Sequence, residues 1–197
     1  MNKQYGSKWL TLITLPIIAA FFCANTSAED DGWISLFDGD SIEGWNTVQT
    51  AKWQVDDGVV ESDTGSGLLV TKRSFDNFSL KLEFWVSDDA NSGVFIRCSK
   101  PEEPSDTSCY EINIFDQRPD QTYRTGSIVR IAPPAAKIDA GSRWNTFEIT
   151  ADGTHLTVIL NGVKTVDVQD NKLQSGPIAL QRGSGKVKFR NIQLRNL

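Results

Sequence analysis

From residue 32 onward the chain reads as a succession of short alternating segments. Phe78-Ser-Leu-Lys-Leu-Glu-Phe-Trp-Val86 puts an apolar residue at every second position. That period marks a β-strand with one face in a core, because strand side chains point alternately to opposite sides. Gly93–Cys98, Cys109–Phe115 and Trp144–Ala151 follow the same rule, and Trp33–Phe37 and Ile178–Gln181 are shorter apolar runs. Two tight hairpins are predicted, one turning at Asp57-Gly58 within Trp53–Glu61 and one at Asn161-Gly162 between His155–Leu160 and Val163–Val168. In Val187–Leu194 the apolar residues change parity between Phe189 and Ile192, which predicts a β-bulge near Arg190-Asn191. No amphipathic helix longer than a turn or two appears. About ten strands with regular turns predict an all-β sandwich or jelly roll.

Before residue 32 the character changes. Lys3 and Lys8 precede an apolar run, Leu10–Phe22, and Thr26-Ser27-Ala28 is a small-residue cleavage signal. This pattern is that of a secretory signal peptide, residues 1–28, cleaved before Glu29. The run falls short of the ~20 residues of a spanning helix, and Phe22 is bulky for a lipid-modified Cys23. The expected location is therefore periplasmic or extracellular, with no membrane attachment after cleavage. Residues 29–197 are expected to form one domain. The chain carries 20 basic and 25 acidic residues. Loss of Lys3 and Lys8 leaves 18 against 25, a balance of −7. With no Lys/Arg cluster, nucleic acid is not an expected partner. The only histidine is His155, no Cys/His metal spacing exists, and no metal or cofactor is expected. Outside the cytoplasm, Cys98 and Cys109, which flank one loop between two strands, are expected to form a disulfide.

Alternation also selects candidate chemistry. In Cys109-Tyr-Glu-Ile-Asn-Ile-Phe-Asp116, Ile112 and Ile114 face the core, leaving Glu111 and Asn113 outward. The same reading leaves Phe95 and Arg97 outward on the preceding strand, and Lys81, Glu83 and Trp85 on the one before that. If these strands are neighbours, one solvated face collects Lys81, Glu83, Trp85, Arg97, Glu111 and Asn113. An aromatic plate beside carboxylates and a guanidinium suits a small carbohydrate. The same pattern also fits an ordinary solvated sheet face with cross-strand ion pairs.

These residues carry a family resemblance. Leu36-Phe-Asp-Gly39 with Gly44-Trp45, Trp53 followed by Asp57-Gly58, Asn91-Ser-Gly93-Val-Phe95, Tyr110-Glu111 with Asp116, Thr125-Gly126, Trp144-Asn145, Asn161-Gly162, Gly176, Leu180-Gln181 and Phe189-Arg-Asn-Ile192 occur in order across the chain. Together they resemble the 3-keto-disaccharide hydrolase domain family. The resemblance implies a concanavalin A-like jelly roll of two curved antiparallel sheets, and action on glycosides oxidised at carbon 3. It adds Gln181 and Arg182 to the candidate sugar contacts. Two positions depart from the family pattern: Arg182-Gly183 stands where a histidine is frequent, and Val129 where an aromatic is frequent. The string Glu111–Asp116 is also similar to the acidic strand of retaining β-glucanases.

The chemistry implied is elimination followed by hydration. A ketone at carbon 3 acidifies the proton on carbon 2. A carboxylate removes it, the enolate expels the group at carbon 1, and water adds to the enone. This requires a base, an acid and a donor at the enolate oxygen. Glu111 is the expected base, Asp116 or Glu83 the acid, Arg97 or Lys81 the enolate stabiliser, with Trp85, Asn113, Gln181 and Arg182 binding substrate. The alternative is a non-catalytic, lectin-like carbohydrate-binding module that uses the same face, with Trp85 as stacking plate.

Overall fold

The computed structural model describes residues 1–4, 6 and 32–197. The apolar run and cleavage site of the expected signal peptide lie outside the described residues. The chain divides into two units, Met1–Asp30 and Asp31–Leu197, and the second holds every strand described below.

Thirteen strands and one short 3-10 turn make up the described secondary structure. They form two antiparallel sheets. The larger has eight strands: β1 (Ile34–Ser35), β3 (Gln54–Asp56), β4 (Val59–Ser62), β6 (Phe78–Val86), β9 (Trp144–Asp152), β10 (His155–Leu160), β11 (Val163–Gln169) and β13 (Val187–Asn196). They run in the order β11-β10-β9-β6-β13-β4-β3, with β1 also on β13. The smaller has five strands, β2 (Trp45–Gln49), β5 (Gly67–Thr71), β12 (Ala179–Ser184), β7 (Asn91–Ile96) and β8 (Tyr110–Ile114), in that order across the sheet. This is the all-β, two-sheet jelly roll expected from the alternation.

The core lies between the sheets. Phe78, Leu80, Leu82, Phe84 and Val86 of β6 are buried, and Phe84 meets Phe147 of β9 with ring centroids 4.7 Å apart. The small sheet contributes Leu69, Val94, Ile96, Tyr110, Ile112, Ile114 and Leu180 to the same cluster. Both predicted hairpins form. Asp57 (φ 46°) with Gly58 (φ 74°), and Asn161 (φ 51°) with Gly162 (φ 79°), take the positive φ pair of a type I′ turn. The side chain of Asn161 also accepts from Thr146 N–H at 2.8 Å, tying the second turn to β9. The predicted bulge is present: the β13–β6 register shifts between Arg190 and Gln193, with Asn191 at φ 51°.

One structural expectation fails. β6, β7 and β8 are consecutive in sequence but do not lie side by side. β6 pairs with β9 and β13 in the large sheet, whereas β7 sits between β12 and β8 in the small one. Consecutive strands are neighbours only about two-thirds of the time, and here the chain crosses between sheets after Val86. Lys81, Glu83 and Trp85 therefore share no face with Glu111 and Asn113.

Candidate functional site

The outward face of the small sheet is built in two rows. In one, Gln181 lies opposite Leu68 and Gly93, and Gly93 opposite Asn113. In the other, Ala179 lies between Val70 and Phe95, and Phe95 opposite Glu111. The loop after β8 then returns along its free edge. Asn113 N–H donates to Ser127 O at 3.1 Å, and Val129 N–H donates to Glu111 O at 2.9 Å. Leu68, Val70, Phe95, Ala179 and the cysteines form an apolar cluster separate from the main core. The face is thus an apolar wall with the polar side chains of Glu111, Asn113 and Gln181 among it.

Those polar groups are incompletely paired. Gln181 Oε1, Asn113 Oδ1 and Ser127 Oγ are buried without a hydrogen-bond partner, and so is Arg118 Nε. Asn113 and Ser127 are fully buried, and Asn113 Nδ2 donates to Tyr123 O at 2.5 Å. An unpaired buried polar atom costs about 1–3 kcal/mol; Gln181 and Asn113 flank Gly93 on this face, while Trp53 Nε1 and Arg124 Nε are unpaired elsewhere. Gly93 keeps the row open: a Cβ there would lie 3.4 Å from Glu111 Oε1 and 3.2 Å from Ile112 O.

Glu111 is the pivotal member. It is only 7% exposed, and its carboxylate has no hydrogen bond or ion pair among the described residues. Burial pushes its pKa from 4.5 up to about 7, the charge of Asp106 adds to the rise, and Arg118 and Arg130 oppose it. The sequence reading placed it on a solvated face; the structure instead buries it. A carboxylate unpaired and titrating near neutrality is suited to take up a proton.

Other sequence candidates are placed elsewhere. Arg97 follows β7 with φ 52° and leaves the strand's alternation. It is fully buried, and it donates to Asp76 O, Gly153 O, Leu173 O and Asn77 Oδ1. All its donors hold loops together, and none faces Glu111. Asp116 accepts from Thr125 Oγ1 at 2.5 Å, Ala140 N–H at 2.7 Å and Gly141 N–H at 3.0 Å. Both its oxygens are taken by donors that pin the long loop. Arg182 is tied to Gly185 O and Asp63 O at the end of β12. The Cys98–Cys109 disulfide is formed, with Cα atoms 4.2 Å apart.

Lys81, Glu83 and Trp85 lie on the outer face of the large sheet. A groove of about 340 Å³ there is lined by Lys81, Glu83, Thr146, Glu148, Asn191 and Gln193. Size alone would favour it, but its acids are spoken for. Burial raises the Glu83 pKa, yet hydrogen bonds from Asn191 and Arg190 outweigh it and hold the carboxyl below its usual value. Arg190 contacts Glu83 Oε2 at 2.7 and 2.8 Å, and Lys81 pairs with Glu148 at 3.7 Å. Lys188 sits 5.7 Å from the Trp85 ring centre. These pairs explain the polar residues without a ligand, whereas the orphaned atoms around Glu111 have no such explanation.

Sequence reasoning missed Gly93, Asp106, Arg118, Ser127 and Arg130. Gly93 and the Thr125-Gly126 turn before Ser127 stood in the quoted motifs. The other three sit on loops, where alternation carries no signal. Among the described residues, no cluster of histidine, cysteine and acidic side chains is arranged to hold a metal.

The chain is thus a two-sheet, lectin-like sandwich with a buried acid on one outer face. Residues 32–195 match the family model of the 3-keto-alpha-glucoside-1,2-lyase-like domain, and the chain belongs to that family. A 3-keto-disaccharide hydrolase of Bacteroides thetaiotaomicron is 33% identical over 78 residues, covering 33% of this chain and 27% of that protein. The match thus spans about a quarter of that relative's length. A candidate glycosyl hydrolase from Parabacteroides distasonis has a TM-score of 0.72 at 25% identity, covering 84% of this chain and 99% of that one. A second from the same organism has a TM-score of 0.74 at 21% identity, over 84% and 94%. The carbohydrate-binding module CBM66 of Bacillus subtilis shares the fold, with a TM-score of 0.61 at 15% identity over 78% and 96%.

Proposed function

We propose that the chain is an exported enzyme that splits 3-keto-glycosides by elimination and hydration, with Glu111 as the base. The observation that carries this reading is the Glu111 carboxylate, buried, unpaired and held near neutrality. Glu111 takes the proton from carbon 2. The electrons form the enolate and then expel the oxygen at carbon 1, which leaves with a proton. Water adds to the resulting enone at carbon 1, and carbon 2 recovers a proton. Arg118, whose Nε is buried without a partner, is the cation best suited to meet the enolate oxygen. Gln181, the partly exposed polar residue of that face, is placed to meet a sugar hydroxyl. Family membership supports a sugar ligand, and the B. thetaiotaomicron relative supports a 3-keto one.

The test is turnover of a 3-keto-glucoside by wild type and by Glu111→Gln. Wild type should turn over, and the variant should lose roughly 100-fold or more in kcat, the usual scale for a lost general base. Glycan binding by wild type without turnover would instead establish a lectin-like module on the same face.

A further inference from the structure

Two segments flank the β8 strand that carries Glu111. One is the loop 99–108, stapled at its base by Cys98–Cys109 and closed by Ser99 N–H donating to Ser108 O at 2.8 Å. The other is the segment 126–131, whose Val129 N–H donates to the Glu111 carbonyl. The loop carries Lys100, Glu102, Glu103 and Asp106, and the segment carries Arg130; of these, Arg130 and Asp106 meet, Arg130 Nε donating to Asp106 Oδ2 at 2.6 Å. Arg118 is the third charged group acting on Glu111.

The pair is not explained by stability. The side chains of Arg130 and Asp106 are 59% and 27% exposed, and exposed ion pairs contribute about 0–1 kcal/mol. Arg130 also sits at φ 65°, a left-handed conformation uncommon outside glycine. Arg130 thus lies one residue beyond the contact to Glu111 and is tied to a loop that is itself cross-linked.

We propose that Asp106 holds the Arg130 guanidinium away from the Glu111 carboxylate, so that the carboxylate stays unpaired and able to accept a proton. This rests on the reading of Glu111 as the base. Arg130 has two acids within its electrostatic range, and its charge and that of Glu111 already act on each other. An arginine released by Asp106 would form a charge-assisted pair with Glu111, filling its lone pairs and making it a poorer base. Asp106 and Arg130 are positioning residues in this scheme. They set the basicity of Glu111 without touching the reacting atoms.

The experiment compares wild type, Asp106→Asn, Arg130→Gln and the double variant. Two readouts are followed: the 13C titration of the Glu111 carboxyl, assigned with Glu111→Gln, and the pH dependence of kcat/KM on a 3-keto-glucoside. Asp106→Asn should move both the titration and the acid limb of the rate profile down by about one pH unit or more. It should also lower the plateau about tenfold. Arg130→Gln should raise both by clearly more in the Asp106→Asn background than in wild type, since only there is the guanidinium released to pair with Glu111. The proposal is overturned if Asp106→Asn lowers activity with the Glu111 titration unmoved, or if the effects of the two substitutions on that titration simply add. Titration shifts of the expected sign in a protein whose Glu111→Gln variant still turns over would support the arrangement and refute the base assignment, so the two claims fail separately.

Discussion

At the scale of single residues, Arg97 and Glu111 fail and succeed for opposite reasons. Simple alternation put Arg97 outward beside Glu111, but one left-handed backbone angle turns it into the interior. Nothing in an alternating string marks such a residue, because the angle is imposed by the carbonyls of three separate loops that its guanidinium satisfies. Glu111 was correctly assigned to the face opposite Ile112 and Ile114. Its burial was not legible, since alternation assigns a residue to a face and not to a degree of exposure. That burial has a consequence for stability. The folded-state pKa of about 7 lies above the ordinary 4.5. The stability belonging to the protonated form is therefore fully present below pH ~4.5 and is lost as pH rises through ~7. Above that, burying the charge costs on the order of 3 kcal/mol. Glu111→Gln should accordingly melt higher than wild type at pH 8 and about equally at pH 4. The same melting difference at both pH values would show that the carboxylate is not desolvated.

At the scale of elements, the legible features were those written in local chemistry. Asp57-Gly58 and Asn161-Gly162 marked their turns, and the parity change before Ile192 marked the bulge on β13. The missed strands have physical reasons. Gly67–Thr71 is buried at every position, so it has no alternation to detect. Trp45–Gln49 is an edge strand of mostly polar residues. Both belong to the small sheet, and without them β6 looked like the neighbour of β7. The Cys98–Cys109 link was visible as two cysteines flanking one loop, and it is the element-scale feature with a direct energetic test. The cysteines are 11 residues apart. A cross-link closing so short a loop stabilises by about 2–3 kcal/mol, chiefly by restricting the unfolded chain. Urea unfolding with and without reductant should show that difference, and peptide mapping of the oxidised protein should recover the two cysteines as one linked pair. Two alkylatable thiols in the native protein would rule the link out.

At the scale of the whole molecule, sequence motifs scattered from Leu36 to Ile192 identified the family because they mark turns and strand ends around the entire sandwich, and the match over residues 32–195 has the same extent. The motifs could not distribute the polar residues between two outer faces. That required knowing which strands pair across the molecule, and it separates Glu111 from Glu83. The remaining whole-chain feature is compartment. The sequence carries a net charge of −5, and Lys3 and Lys8 are the only charges before Glu29. A disulfide beside the candidate site requires an oxidising environment to persist, which agrees with export through the N-terminal leader. Among the described residues, no helix is long and apolar enough to cross a membrane. The protein purified from its native host should therefore begin at Glu29, released in the periplasm or medium, with the disulfide formed. Intact-mass measurement before and after reduction reads both features at once: the loss of residues 1–28, and a gain of two hydrogens on reduction. A mass that retains the leader, or carries a lipid at Cys23, would overturn the export reading while leaving the chemistry of Glu111 untouched.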